Sequence, residues 1–302
     1  MGTPEFAVPS LEALVRDRWN VACVVTAPDK PVGRGLHVRP SPVKSAALAA
    51  GIEVLQPETP GDPAFHEALR ARRPDIIAVV AFRILPTAVI EIPALGAFNL
   101  HASLLPRYRG AAPINHALMN GETVTGVTTF FLERTVDTGN VILQRQVDIE
   151  PEDDAGTLHD RLSLVGADAV AETLRLIVEG TAPRIPQDVS KATPAPKIFR
   201  EQCRIEWNRP ARAVVNQIRG LSPHPGPFTF HEGREIHVYR AAVAPEARAL
   251  APGEIAVESG QLIVGTGEGA VRLLELQQQG RKRMGAEEFL RGYRFGDGGR
   301  FA

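Results

Sequence analysis

Cysteine is scarce in this chain: Cys23 and Cys203 are the two in 302 residues. Cys23 falls in an apolar run and Cys203 in a polar stretch, a pattern that excludes a disulfide framework and a thiolate metal site. Long apolar runs are missing as well. None approaches the roughly 20 residues needed to cross a bilayer, and no basic segment followed by an apolar one opens the chain as a secretory signal would. These absences predict a cytoplasmic protein without a membrane partner. Neither sign of charge is in excess: 34 Lys and Arg against 35 Asp and Glu leave a net charge of -1. Such a balance excludes global attraction to nucleic acid and leaves that role to local patches.

What is present is enough apolar material, 44% of residues, for the two cores that a chain of this length calls for. Asn20 to Ala27, Asp75 to Phe82 and Ala97 to Ala102 are short and rich in Val, Ile or Phe, as strands buried on both faces are. Ser10 to Asp17 and Phe65 to Arg72 read as helices between them. The alternation predicts an α/β fold with a doubly wound, mostly parallel sheet. Pro113 to Asn120 reads as a helix opened by proline and closed before Gly121. A longer helix is expected from Leu158 to about Glu179, with Thr157 as N-cap and Gly180 as terminator. Pro183, Pro186, Pro194 and Pro196 then mark a linker over residues 182–203, separating a domain of residues 1–181 from one of residues 204–302. The second domain is expected to hold a helix at Ala211 to Arg219. Strands follow at Phe228 to Phe230, Arg234 to Ala241, Gly253 to Val257, Gln261 to Val264 and Ala270 to Leu276, the pattern of a small β-barrel. Gly265-Thr266-Gly267-Glu268-Gly269 reads as a hairpin turn rather than a phosphate loop, since no helix or Lys-Ser/Thr pair follows.

The chemistry-bearing stretch is Asn99-Leu100-His101-Ala102-Ser103-Leu104-Leu105-Pro106. In a strand, Asn99, His101 and Ser103 share one face. The run ends at Pro106, so an amide and an imidazole stand where a strand gives out, which is where open α/β sheets bind ligands. Asp137-Thr138-Gly139 supplies a carboxylate. Elsewhere, Lys30 to Gly51 holds no acidic residue. Lys30, Arg34, Arg39 and Lys44 fall there among glycines and prolines, and the stretch reads as a basic, extended loop.

Met1-Gly2-Thr3-Pro4-Glu5-Phe6, the loop from Arg34-Gly35 to Pro40-Ser41-Pro42-Val43-Lys44, the block His101 to Ile114 and Asp137-Thr138-Gly139 together resemble the methionyl-tRNA formyltransferase family. The Asn-x-His pair with a later Asp marks the wider superfamily that uses 10-formyltetrahydrofolate. The Gly-Thr-Pro opening, the basic loop and the carboxyl-terminal domain narrow it to the tRNA enzymes. The resemblance implies a Rossmann-like catalytic domain followed by an OB-like barrel that contacts tRNA. Its implied reaction is transfer of a formyl group from 10-formyltetrahydrofolate, without a metal, to the α-amino group of methionyl initiator tRNA, by a monomer. Asn99, His101 and Asp137 would be catalytic. Ser103, Leu104, Leu105, Pro106, Phe82 and Ile84 would border the folate. Lys30, Arg34, Arg39 and Lys44, with Arg281, Lys282 and Arg283 of the second domain, would meet the tRNA.

Residue chemistry agrees with this assignment. Attack of an amine on a formyl carbon creates a negative oxygen, which Asn99 and His101 can face with N–H donors, each worth about 2.7 to 4 kcal/mol of barrier. The amine must lose a proton after attack, and Asp137 can accept it. The same residues would also suit formylation of a small amine or a hydrolysis that releases formate. Two departures from the family pattern stand out. Met1 directly precedes Gly2, where family members begin with a strand, so the first strand is expected to be missing. Ala81-Phe82-Arg83-Ile84-Leu85-Pro86 carries Arg83 in place of a small residue, in a loop one residue shorter than usual.

Overall fold

The computed structural model describes residues 1–32, 37–245, 247, 249–296 and 298–302; Arg34 lies outside them. In chain order the first elements are α1 (Val8–Arg16), β1 (Val24–Val25), β2 (Lys30–Val32), β3 (His37–Arg39), α2 (Pro42–Ala49), β4 (Val54–Leu55) and α3 (Pro63–Ala71). There follow β5 (Ile77–Val80), α4 (Thr87–Ile90), β6 (Ala97–His101), α5 (Pro113–Met119), β7 (Val124–Phe131), β8 (Val141–Asp148) and α6 (Ala155–Val178). The chain ends with α7 (Ala211–Leu221), β9 (Phe228–His231), β10 (Arg234–Val243), β11 (Ile255–Glu258), β12 (Gln261–Gly265), β13 (Ala270–Gln278), β14 (Met284–Gly285) and α8 (Ala286–Gly292). Two compact units divide these elements. One comprises Met1–Gly110, Val124–Asp148 and His159–Pro194; the other comprises Ala111–Thr123, Ile149–Leu158 and Ala195–Ala302.

Helix starts in the first unit follow from local chemistry. Ser41 Oγ accepts the Lys44 amide at 3.0 Å to open α2, and Asp62 accepts the Ala64 amide at 2.9 Å to open α3, each with proline in the first turn. β5 and β6 pair in parallel, Ile77 opposite Ala97 through Val80 opposite Leu100, as do β1 and β4. β7 then runs antiparallel to β6, and β8 runs antiparallel to β7, as the short connection over residues 132–140 between that last pair requires. The sheet is therefore mixed. Val25, Phe65, Leu69, Ile77, Val79, Leu85, Val89 and Ala97 form one core cluster of this unit. Gly166 of α6 sits against β6, where an added Cβ would fall 2.6 Å from Leu100 Cδ2.

The long helix begins earlier than expected, at Ala155. Thr157 is not its cap: Asp154 Oδ1 accepts the amides of Gly156 and Thr157, both at 2.9 Å, a stronger closure than a hydroxyl one turn later. Gly180, at φ +69°, lies just beyond its end.

In the second unit the strand order is β11-β12-β13-β10-β9, with β14 also on β13, and every ladder is antiparallel. Trp207, Ile218, Ile236, Leu262, Leu273, Leu276 and Phe289 fill its core, and the Trp207 indole N–H donates to Thr229 Oγ1 at 2.9 Å. Residues 265–269 form the β12–β13 hairpin turn, closed by Thr266 N donating to Gly269 O at 3.0 Å. α5 belongs with this unit, where Asn115 Nδ2 donates to Gly220 O at 2.7 Å. No helix among the described residues is long and apolar enough to cross a membrane.

Met1 and Gly2 lie between β1 and β5. Gly2 N donates to Val25 O at 3.0 Å, Val80 N donates to Met1 O at 2.9 Å, and the Met1 amine donates to Ala78 O at 2.6 Å. They border a cavity of about 320 Å³ lined by Trp19, Val24, Ala78 and Leu174, among others. Burial pushes the Met1 amine down to about 6 from its ordinary 8.0, because an ammonium loses its hydration there. Between those values the unfolded chain holds a proton that the folded chain has released, so stability rises with pH from about 6 to 8 and is lower below that window. The expected rise is roughly 2 to 3 kcal/mol at about 1.36 kcal/mol per pKa unit. Urea unfolding of the free and N-terminally acetylated chains at both ends of the window checks it: acetylation should remove this share of the slope.

Candidate active site

Phe98 and Leu100 of β6 are buried, on the face where Gly166 meets Leu100. The pleat turns Asn99 and His101 to the other face. Regular strand structure stops at His101, so Ser103 does not continue the alternating row. Its buried hydroxyl instead donates to Arg107 O at 2.6 Å, folding residues 103–107 into a turn. Leu105–Pro106 in that turn is a cis peptide.

β7 and β8 hold the turn down. Thr128 Oγ1 donates to Ser103 O at 2.6 Å and accepts from Leu105 N at 3.1 Å, while Gln144 Nε2 donates to Leu105 O at 2.8 Å. Gly126 leaves room for Leu104, whose Cδ2 would stand 2.6 Å from an added Cβ. Leu104 and Pro106 are half-buried and Leu105 is buried.

The return of the chain through Tyr108 to Gly110 completes the polar site. A backbone carbonyl can only accept, so the 2.8 Å contact between His101 Nε2 and Tyr108 O places a proton on Nε2. Nδ1 is left facing Asp137 Oδ2 at 4.0 Å. That same carboxylate oxygen accepts Gly110 N at 3.0 Å. Both partners are buried, His101 being 6% and Asp137 8% exposed. Asp137 stands at φ +56°, a left-handed conformation that aspartate tolerates better than most residues but that still needs support. Asn99 is half-buried, and its amide has no hydrogen-bond partner among the described residues.

Residues 81–86 leave β5 at the same end at which the chain leaves β6, since the two strands are parallel neighbours. Phe82 is half-buried against the core of the first unit, whereas Ile84 is 74% exposed. Arg83 Nη1 donates to Glu58 O at 2.5 Å.

The cations behave unequally. Lys30 and Arg39 are exposed and directly opposite each other in the β2–β3 ladder. Lys44 is half-buried and paired with Asp29 at 2.6 Å; this ammonium, and then the Gln56 amide, hold the Asp29 carboxyl below its ordinary value. In the second unit Arg281 and Lys282 are exposed, while Arg283 grips Glu275 through two 2.6 Å bonds and lies 4.3 Å from the Tyr239 ring centroid. Sequence reading did not single out Thr128, Gln144 or Gln187, the side chains that tie these loops together. Each is an ordinary polar residue whose role is defined by what folds against it.

An α/β unit with Asn, His and Asp gathered at a strand end, followed by an antiparallel sheet unit, defines a formyl transferase: the family model for formyl transferase matches residues 1–174, and that for the formyl transferase C-terminal domain matches residues 197–294. The chain is 50% identical over 300 residues to the methionyl-tRNA formyltransferase of Chlorobium phaeovibrioides, covering 97% of this chain and 94% of that protein. It is 45% identical over 300 residues to that of Caldanaerobacter subterraneus subsp. tengcongensis, covering 99% and 97%. Among solved structures, the N-formyltransferase from Helicobacter canadensis, in complex with folinic acid and dTDP-3-aminofucose, shares the fold at TM-score 0.68 and 19% identity over 92% of this chain and 97% of that one. The chain belongs to the methionyl-tRNA formyltransferase family.

Replacing Thr128 by Val removes the acceptor of Leu105 N and the donor to Ser103 O at nearly constant volume. Two buried backbone groups then lose partners at about 1–3 kcal/mol each. The expected result is a loss of about 2–6 kcal/mol in urea unfolding, the sum for two such groups, with a parallel fall in turnover.

Proposed function

We propose that the chain transfers the formyl group of 10-formyltetrahydrofolate to the α-amino group of methionyl initiator tRNA, for translation initiation, as a cytoplasmic monomer. The observation that carries this reading is the cluster at the carboxyl end of β6: Asn99, whose amide has no partner among the described residues, and buried His101 with Asp137 at 4.0 Å. Near full-length similarity to methionyl-tRNA formyltransferases supports the choice of acceptor.

The step balances without a covalent enzyme intermediate. The neutral amine attacks the formyl carbon, forming a C–N bond and a tetrahedral oxyanion. Asn99 faces that oxygen through its amide. His101 has Nε2–H committed to Tyr108 O, so Nδ1, beside Asp137, is the ring nitrogen left to face the reacting atoms. Asp137 takes the proton that the amine sheds. Collapse then breaks the bond to N10 of the folate, which takes up the proton held by Asp137 and leaves the carboxylate free again. In this reading Ser103, Leu104, Leu105 and Pro106 form the folded turn beside the folate, and Phe82 and Ile84 border it from the end of β5.

Residues 1–181 carry the transfer, residues 182–203 connect, and residues 204–302, of OB-like type, contact the tRNA. Lys30 opposite Arg39 is a like-charge pair of the kind that destabilises a ladder, and a phosphate between them would turn that repulsion into binding. Arg34, Arg39, Lys30 and Lys44 would meet the acceptor end, and Arg281, Lys282 and Arg283 a second stretch of backbone.

Incubation with 10-formyltetrahydrofolate and methionyl initiator tRNA, followed by assay of the aminoacyl amine, tests the reaction. Formyl-methionyl-tRNA is the expected product, and salt-sensitive tRNA binding without transfer would overturn the reading. Asn99→Ala should lower kcat on the order of 10²- to 10³-fold, as loss of an oxyanion donor does. Asp137→Ala should lower kcat strongly, and both variants should leave tRNA affinity nearly intact. Lys30→Ala and Arg39→Ala should instead weaken tRNA binding and reduce the slope of log K against log salt by about 1 each.

A further inference from the structure

Asp137 and the turn ending in Gly110 come from separate parts of the chain, and one side chain outside both bridges them. Gln187 Nε2 donates to Asp137 O at 3.0 Å and to Gly139 O at 2.9 Å, and its Oε1 accepts Arg109 Nε at 3.2 Å and Nη2 at 2.6 Å. Both amide protons and the carbonyl are thus engaged. The segment bearing Gln187 is itself anchored at each end. Ile185 exchanges backbone bonds with Val141, at 2.8 and 3.0 Å, where β8 begins. Thr193 receives the amides of both Tyr108 and Arg109, at 2.9 Å each, through its hydroxyl and its carbonyl.

We infer that Gln187 is a positioning residue for Asp137, setting the carboxylate against His101 by clamping the left-handed backbone at 137 to the loop that supplies Tyr108 O and Gly110 N. The inference rests on the proposed transfer reaction. Without the clamp, Asp137 keeps the Gly110 amide through its side chain, but its backbone at φ +56° loses a restraint. Backbone of that kind persists where its surroundings over-determine it. A carboxylate displaced by about 1 Å from a reacting group can cost on the order of 100-fold in rate. Gln187 touches none of the reacting atoms, so its effect should pass entirely through Asp137.

The test is a double-mutant cycle in the full chain. Gln187→Glu keeps the shape and can retain Arg109 but turns an acceptor toward two carbonyls; Gln187→Met keeps the length without polarity. Each should lower kcat roughly 10- to 100-fold, with KM for formyl-folate and for tRNA within about 2-fold. In an Asp137→Asn background the same substitutions should have almost no further effect, because residues acting as one unit are not additive. Thermal unfolding identifies the folded variants, and either one suffices for the cycle. An unchanged kcat in an active parent, or an equal loss in the Asp137→Asn background, overturns the inference. Inactivity of the parent chain itself counts against the transfer reaction instead.

Discussion

The polar site depends on one constraint, that two buried titratable side chains must both be satisfied where a strand ends. His101 and Asp137 reach their positions from segments far apart in sequence, yet each is fixed by main chain from the same turn, through Tyr108 O and Gly110 N. Burying polar groups without partners costs several kcal/mol, of order 2–7 for an amide or hydroxyl. The turn over residues 102–110 therefore has to close tightly on β6. Thr128 and Gln144 pin its start from the sheet, and Thr193 pins its end. The Asn99 side-chain amide, by contrast, has no hydrogen-bond partner among the described residues.

Much of this was legible in the sequence because it is local. Apolar β-branched runs placed β1, β5 and β6, helix-like stretches placed α1 and α3, and glycine-bounded alternation placed β9 to β13. By contrast, α2 (Pro42–Ala49) falls inside the stretch read as an extended basic loop and was missed, because its Ser41 cap and Pro42 start were counted as loop residues. The Asn-x-His spacing put two groups on one face through the period of a strand. Non-local facts were not legible. Val124-Thr125-Gly126-Val127-Thr128-Thr129-Phe130-Phe131 has strand composition, but nothing in it says that it runs antiparallel to β6. Thr157 has the residue type of a cap, and only the fold shows that Asp154 reaches the first amides instead. Ser103 fits the alternate row by number, but the strand stops before it. Gln187 lies in a stretch read as linker, and its four hydrogen bonds come from a backbone path that no periodicity encodes.

Charge content separates in the same way. The basic loop reads as uniformly cationic, whereas the structure distributes its members between two roles. Lys44 pairs with Asp29, whose other oxygen accepts the Gln56 amide, so the base of the loop is tied to the end of β4. Lys30 and Arg39 face each other in solvent with nothing acidic in the ladder to relieve them. Arg283 repeats the Lys44 pattern in the second unit, held by Glu275, while Arg281 and Lys282 stand outside it.

Arg83 shows why a departure from a family pattern has to be weighed by where its side chain goes. A large cation pointing into the apolar interior would be costly. Instead Nη1 donates to Glu58 O, so the charge is directed at the connection between β4 and α3 and away from β6. That contact also ties the end of β5 to residue 58. Ala81, at φ +47°, turns the chain sharply just before it. The loop over residues 81–86 is thus braced by Arg83, while Ile84 is left 74% exposed.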